Sequence, residues 1–203
     1  MPDLLMQHSQ GCSDLQSVLD GLLRRSLELT GTGLGNVQMM DWEKGYLRIA
    51  AHHGFNDEFL NFFRHVRAQS GSACARAITR RESIVIEDVL VDPEFAPYRM
   101  IALRAGFRAV QSTPLISSGG AFLGVVSTHF SAAHKPSGRE IEELSATGQR
   151  AADAIIRLRV HPRATDGRLA EKSQTVAEQV KRGREAVARS AELIRRIDLL
   201  LNR

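Results

Sequence analysis

Cysteine is scarce in this chain: Cys12 and Cys74 are the only two among 203 residues. They form no C-x-x-C pair and stand near no histidine pair, so a metal site or a redox motif has no support. Cys74 lies in the small-residue run Ser72-Ala73-Cys74-Ala75. It reads as a packed residue of a short helix rather than a reactive thiol. Long apolar runs are missing as well. No stretch approaches the roughly 18 uninterrupted apolar residues that a membrane span requires. Met1 to Gly11 has neither the cationic start nor the apolar run of a signal peptide, which predicts a cytoplasmic protein. Catalytic signatures are also lacking. There is no serine in a nucleophile elbow, no H-E-x-x-H, no paired-carboxylate motif and no Walker loop. The run Gly31-Thr32-Gly33-Leu34-Gly35 follows a helix and precedes a strand, the reverse of the order that a dinucleotide-binding loop needs. No internal repeat or low-complexity segment occurs.

What is present is ordinary for a globular chain. Hydrophobic residues make up 43% and charged residues 25%, and the length suffices for one domain with its own core. The formal net charge of +4 sits unevenly. Residues 163–203 hold ten Lys and Arg against six Asp and Glu, so the excess belongs to the tail. Cations mixed with anions read as a solvated helix face, and neither nucleic acid nor a membrane is the expected partner.

Periodicity orders the chain. Ser13-Asp14-Leu15-Gln16 reads as a capping box opening a helix whose apolar seam runs Leu15, Leu19, Leu22 and Leu29. A hairpin follows, Leu34 to Met40 and Tyr46 to Ala51, turning at Asp41-Trp42-Glu43-Lys44-Gly45. Asn56 caps an expected helix to Val66, and Gly71 begins a short helix through Ile78. Ile84-Val85-Ile86 is a brief strand. It opens into the irregular stretch Glu87 to Pro97, then a helix from Tyr98 to Ala105. Arg108 to Ser117 and Ala121 to Phe130 are strands joined at Ser118-Gly119-Gly120. Ser137-Gly138-Arg139-Glu140 caps a helix through Leu158, which His161-Pro162 breaks. A last helix carries a weak seam from Leu169 to Leu201, with Ser173, Gly183 and Ser190 in it. Consecutive hairpins predict antiparallel pairing, with the helices gathered on one side. The expected organisation is an arm over 1–12, a domain over 13–160, a hinge over 161–167 and a C-terminal helix over 168–203.

Four segments of the domain carry a family resemblance. They are Gly35-Asn36-Val37-Gln38 with its hairpin; Ala51-His52-His53-Gly54-Phe55; Val85 to Val89 through Asp92-Pro93-Glu94-Phe95-Ala96-Pro97-Tyr98; and Val110-Gln111-Ser112-Thr113-Pro114-Leu115 with Gly124 to Phe130. Together they resemble a GAF domain over roughly residues 13–160. The resemblance implies an α+β fold: a central antiparallel sheet of five to six strands with helices on both sides, here followed by the long C-terminal helix. It also implies a small-molecule pocket roofed by residues 87–106. The implied role is a non-catalytic sensory module of bacterial signalling. It would homodimerise through helices 13–30, 137–160 and 168–202 and act on a histidine kinase or other signalling protein. The five-residue Asn-Lys-Phe-Asp-Glu signature of the cyclic-nucleotide-binding branch is missing. Cys74 lacks the adjacent histidine of the bilin-binding branch. Other readings are a thiol-dependent reductase of the free methionine sulfoxide type, which needs several cysteines at the pocket, and a ligand-free dimerisation adaptor.

The expected ligand-binding residues are Asp88, Tyr98 and Arg99 on the roof, Gln111 and Thr113 on one strand face, Ser127 and His129 on the next strand, and His53. Uncharged polar groups on buried strands require partners, supplied either by internal hydrogen bonds or by a ligand. His52 and His53 point to opposite faces, and one of them hydrogen-bonding backbone at the strand end is the competing reading. His134 and His161 read as solvated. The residues name no cofactor.

Overall fold

A computed structural model describes residues 15–160 of the chain. The chain divides into two units, residues 1–161 and 162–203. The arm, Cys12, the hinge and the C-terminal helix expected from sequence lie outside the described residues.

Helix α1 (Leu15–Thr30) leads into strands β1 (Leu34–Asp41) and β2 (Tyr46–His53). Helix α2 (Asp57–Phe62), strand β3 (His65–Val66), helix α3 (Ala73–Arg80) and strand β4 (Ile84–Ile86) follow. A 3-10 turn (Ala96–Tyr98) runs into helix α4 (Arg99–Arg104), and strands β5 (Ala109–Ile116) and β6 (Phe122–Phe130) precede helix α5 (Gly138–Val160). The six strands form one antiparallel sheet in the order β3-β2-β1-β6-β5-β4. The first and last hairpins therefore meet at the centre of the sheet.

The helices lie on both faces of the sheet, not on one. Val18, Leu19, Leu22 and Leu23 of α1 pack with Ala151, Ala152 and Ile155 of α5 over Val37, Leu115 and Val126. The other face carries Phe59 of α2 and the Phe63 that follows it, Ala73 and Ala77 of α3, and Ile101 of α4, over Leu47, Val110 and Val125. Period-2 alternation supplies both layers, since β5 and β6 are buried on each side. Hairpin order alone does not determine which face a helix takes. At the central seam Gly124 pairs with Met39. A Cβ there would sit 2.1 Å from the Gln38 carbonyl oxygen, so only glycine permits this approach of β6 to β1.

Two further expectations from sequence need correction. The helix expected over 56–66 ends at Phe62, and His65–Val66 instead forms an edge strand against Leu47 and Arg48. Val66 fits a helical seam, but pairing with the buried Leu47 covers it equally well and satisfies backbone groups of β2. His134 is only half-buried: its ring stacks on Phe130 at 3.8 Å and its Nε2 lies 3.3 Å from Glu140 Oε1. Glu140 thus turns to His134, while Ser137 Oγ still accepts from the Glu140 N–H at 3.2 Å, completing half of the expected capping box.

Asn56 caps α2 as its residue type suggests, its Oδ1 accepting from the Phe59 N–H at 3.0 Å. Asn56→Ala is expected to lower stability by about 1 kcal/mol, read as a shift of the urea midpoint at unchanged slope.

Candidate functional site

The face of the sheet under α2, α3 and α4 is apolar at its rim and polar at its centre. Asn36 and Gln38 of β1, Ser112 of β5, and Ser127 and His129 of β6 all point into it. Their register explains the convergence. Asn36 pairs with Ser127, which pairs with Ser112, so three adjacent strands place polar side chains in one row. Ser112 Oγ and Ser127 Oγ share one hydrogen bond at 2.7 Å. Gln38 Nε2 donates to the Phe63 carbonyl at 3.4 Å. Asn36 Oδ1 and His129 Nδ1, both buried, have no hydrogen-bond partner in the protein.

Above this row four phenylalanines close in: Phe59, Phe63, Phe95 and Phe107. They leave a cavity of about 20 Å³, room for one water molecule. No Lys, Arg, Asp or Glu lines it among the described residues. Phe55, Phe59 and Phe107 meet the His129 ring edge-on, with centroids 4.9, 5.8 and 4.6 Å away. Burial among these rings lowers the His129 pKa to about 3, against a smaller opposing effect of a hydrogen bond with the Leu34 backbone. The imidazole is therefore neutral at physiological pH. Cys74 also lines the cavity, its Sγ 3.3 Å from Ser72 Oγ. Burial pushes its thiol pKa up, and the Ser72 contact only partly offsets this.

The roof is fastened by charge. Arg76 on α3 makes a two-pronged bridge to Asp92, 2.9 Å to Oδ2 and 2.6 Å to Oδ1, and its Nε donates to the Gly71 carbonyl at 2.9 Å. Asp92 Oδ1 also accepts from the Phe95 N–H at 2.8 Å, which positions Phe95 over the cavity. The Arg76 hydrogen bonds hold the Asp92 carboxyl below its ordinary range despite partial burial. Gly71 lets the loop come close, because a Cβ there would meet the Glu94 carbonyl oxygen at 2.4 Å. Arg99 ties the loop to itself, donating to the Val89 and Asp92 carbonyls at 3.0 Å each.

Of the residues expected from sequence, Ser127 and His129 are the two that line the cavity. Gln111 and Thr113 alternate with Ser112 and so face α5; Thr113 Oγ1 accepts from Ser83 Oγ at 3.3 Å. Gln111 is fully buried there beside Thr128, its cross-strand partner. Asp88 binds the Leu90 N–H at 3.0 Å and pairs with Arg108, contacts that hold its carboxyl low. Tyr98 packs against Phe62, Phe63 and Phe95. Arg99 staples the roof. His53 is exposed, and its Nδ1 lies 2.8 Å from the Gly33 carbonyl oxygen. Sequence reasoning missed Asn36 and Gln38, although two polar residues at alternate positions in an otherwise apolar strand are a signal. It also missed Arg76, whose partner lies 16 residues on.

A family model described as GAF domain matches residues 12–156. No curated protein matches the sequence. Among solved structures, a domain of a protein assigned as a two-component sensor histidine kinase, from Sinorhizobium meliloti 1021, superimposes with TM-score 0.59 at 17% identity, over 72% of this chain and 94% of that one. The GAF domain of a phosphoenolpyruvate-protein phosphotransferase from Coxiella burnetii gives 0.64 at 17% identity, over 77% and 91%. The free methionine-R-sulfoxide reductase of Neisseria meningitidis, solved with its substrate, gives 0.62 at 16% identity, over 76% and 86%. No helix among the described residues is long and apolar enough to cross a membrane.

Proposed function

The chain belongs to the GAF domain family, and from that premise we propose that it is a non-catalytic sensory module that binds a small molecule in the clamped cavity. Occupancy is relayed through the flanking helices, within a homodimer, to a signalling partner such as a histidine kinase. The observation that carries this reading is the pair of buried polar atoms, Asn36 Oδ1 and His129 Nδ1, left without protein partners in an aromatic chamber under a fastened roof. A buried polar group without a partner is costly, and a bound molecule that donates to it recovers that cost. The relay has a physical path. Ser112 faces the cavity, while its neighbours Thr113 and Leu115 meet the opposite face, where a Cβ on Gly148 of α5 would lie 3.3 Å from Leu115 and 3.8 Å from Thr113. A shift of β5 on one side is therefore felt by a helix on the other.

The reductase reading has less support. That chemistry needs an ionised attacking thiol, and the one described cysteine has its thiol pKa pushed up by burial. Native mass spectrometry of the full chain, after incubation with a bacterial metabolite extract, tests the sensory reading. A small molecule that stays bound through gel filtration and is released on denaturation is the expected result. His129→Leu is expected to retain it at least tenfold less well. Absence of any bound or stabilising molecule across the extract removes sensing and leaves the structural adaptor.

A further inference from the structure

The lining of the cavity narrows what it accepts, and the narrowing rests on the sensory reading above. We infer that the ligand is a small, uncharged aromatic or heteroaromatic molecule that carries one or two N–H or O–H donors.

Three features lead there. The first is charge. Among the described residues no ionised side chain lines the cavity, and Arg76, which fastens the roof, is engaged with Asp92 and the Gly71 carbonyl. A phosphate or carboxylate would enter with no counter-charge, and an ammonium with no carboxylate, at a desolvation cost that nothing here offsets. The neutral state of His129 agrees with this.

The second is the polarity of the unpaired atoms. Asn36 Oδ1 is an acceptor. His129 Nδ1 is one too when the neutral ring carries its proton on Nε2. Ser112 and Ser127 share one hydrogen bond, so neither oxygen is left without a partner. Both open positions therefore ask for a donor. Asn36 pairs with Ser127, and His129 lies two residues further along the same strand face, so the two acceptors are diagonal neighbours that one small ring can address.

The third is the wall. Four phenylalanine rings and the edge of His129 favour a flat partner that stacks or meets them edge-on. Size supplies an upper bound. The present volume of about 20 Å³ holds one water, whereas roughly 150 Å³ admits a benzene ring. Entry therefore displaces part of the lining, and a single ring demands far less displacement than a nucleotide or tetrapyrrole.

Isothermal titration of the full chain with phenol, indole, anisole and benzoate tests this. Phenol and indole are expected to bind, anisole at least tenfold more weakly for want of a donor, and benzoate not measurably. In Asn36→Leu and His129→Leu, checked for folding by thermal melting, the phenol-to-anisole ratio is expected to fall below threefold. Equal binding of phenol and anisole by the unaltered chain, or tighter binding of benzoate, overturns the inference without help from any variant. If no probe binds but the metabolite extract yields a ligand, the ligand class is wrong and sensing stands. If neither yields a ligand, both are wrong.

Discussion

Arg76→Met is expected to destabilise the domain by about 3 kcal/mol and to speed chemical labelling of Cys74 at least tenfold. The Arg76 side chain is 10% exposed and that of Asp92 20%, so the pair is close to buried. Removing one partner from such a pair leaves the other charge poorly compensated, at roughly 3–5 kcal/mol. The lower figure applies because Asp92 keeps some solvent and its bond to the Phe95 N–H. That bond alone no longer fixes the loop to α3, and the loop carries Phe95, which covers the cavity where Cys74 lies. Labelling of a buried thiol proceeds through local opening, so its rate reports the opening equilibrium of the roof. The measurement uses a thiol reagent on Cys12→Ser chains, with urea denaturation alongside. Arg76→Lys is expected to fall between, since a single ammonium cannot reproduce the two-pronged bridge. Loss of stability with an unchanged labelling rate would mean that the bridge braces the fold without gating the cavity.

Much of this arrangement is legible in the sequence, and the parts that are not have identifiable reasons. The hairpins β1–β2 and β5–β6 announce themselves through alternation and through glycine-bearing turns. Ser137 and Asn56 mark helix starts by hydrogen bonds that are present. Facing is harder. Gln111 and Thr113 share a face as alternation requires, but β5 is buried on both sides, so no contrast between wet and dry reveals which face holds the cavity. It is the other set, Ser112 with Val110, that lines it. The same ambiguity hides Asn36 and Gln38 in β1. Val66 belongs equally to a helical seam and to an edge strand, and only pairing with Leu47 decides. The Arg76–Asp92 bridge joins a helix to a loop, and no local period relates such positions. Resemblance to a family supplies the two-sided helix arrangement that hairpin order does not.

Acid is expected to weaken the folded state before ordinary carboxylates titrate, and His129 is the cause. Its native pKa lies near 3, below the usual value of 6.5 that it regains on unfolding. Above pH 6.5 both states hold a neutral ring, and the residue contributes nothing to the pH dependence. As the pH falls below 6.5 the unfolded chain takes up a proton that the native chain refuses, so stability declines until the pH nears 3. At pH 5 the loss relative to pH 8 comes to about 2 kcal/mol for this one site. The lining of the cavity offers no carboxylate to rescue the imidazolium, and the rings of Phe55, Phe59 and Phe107 surround it on the side away from the sheet. Urea titrations at pH 8, 6 and 5 and constant ionic strength measure the decline. His129→Leu is expected to flatten it across this window, whatever the variant does to stability at pH 8. A slope that persists in the variant would assign the proton uptake elsewhere and show that His129 meets water in the native state. A donor-bearing ligand adds a second signature. By occupying Nδ1 it stabilises the neutral ring further, so saturating phenol is expected to raise stability at every pH in the window by the same amount, leaving the slope intact.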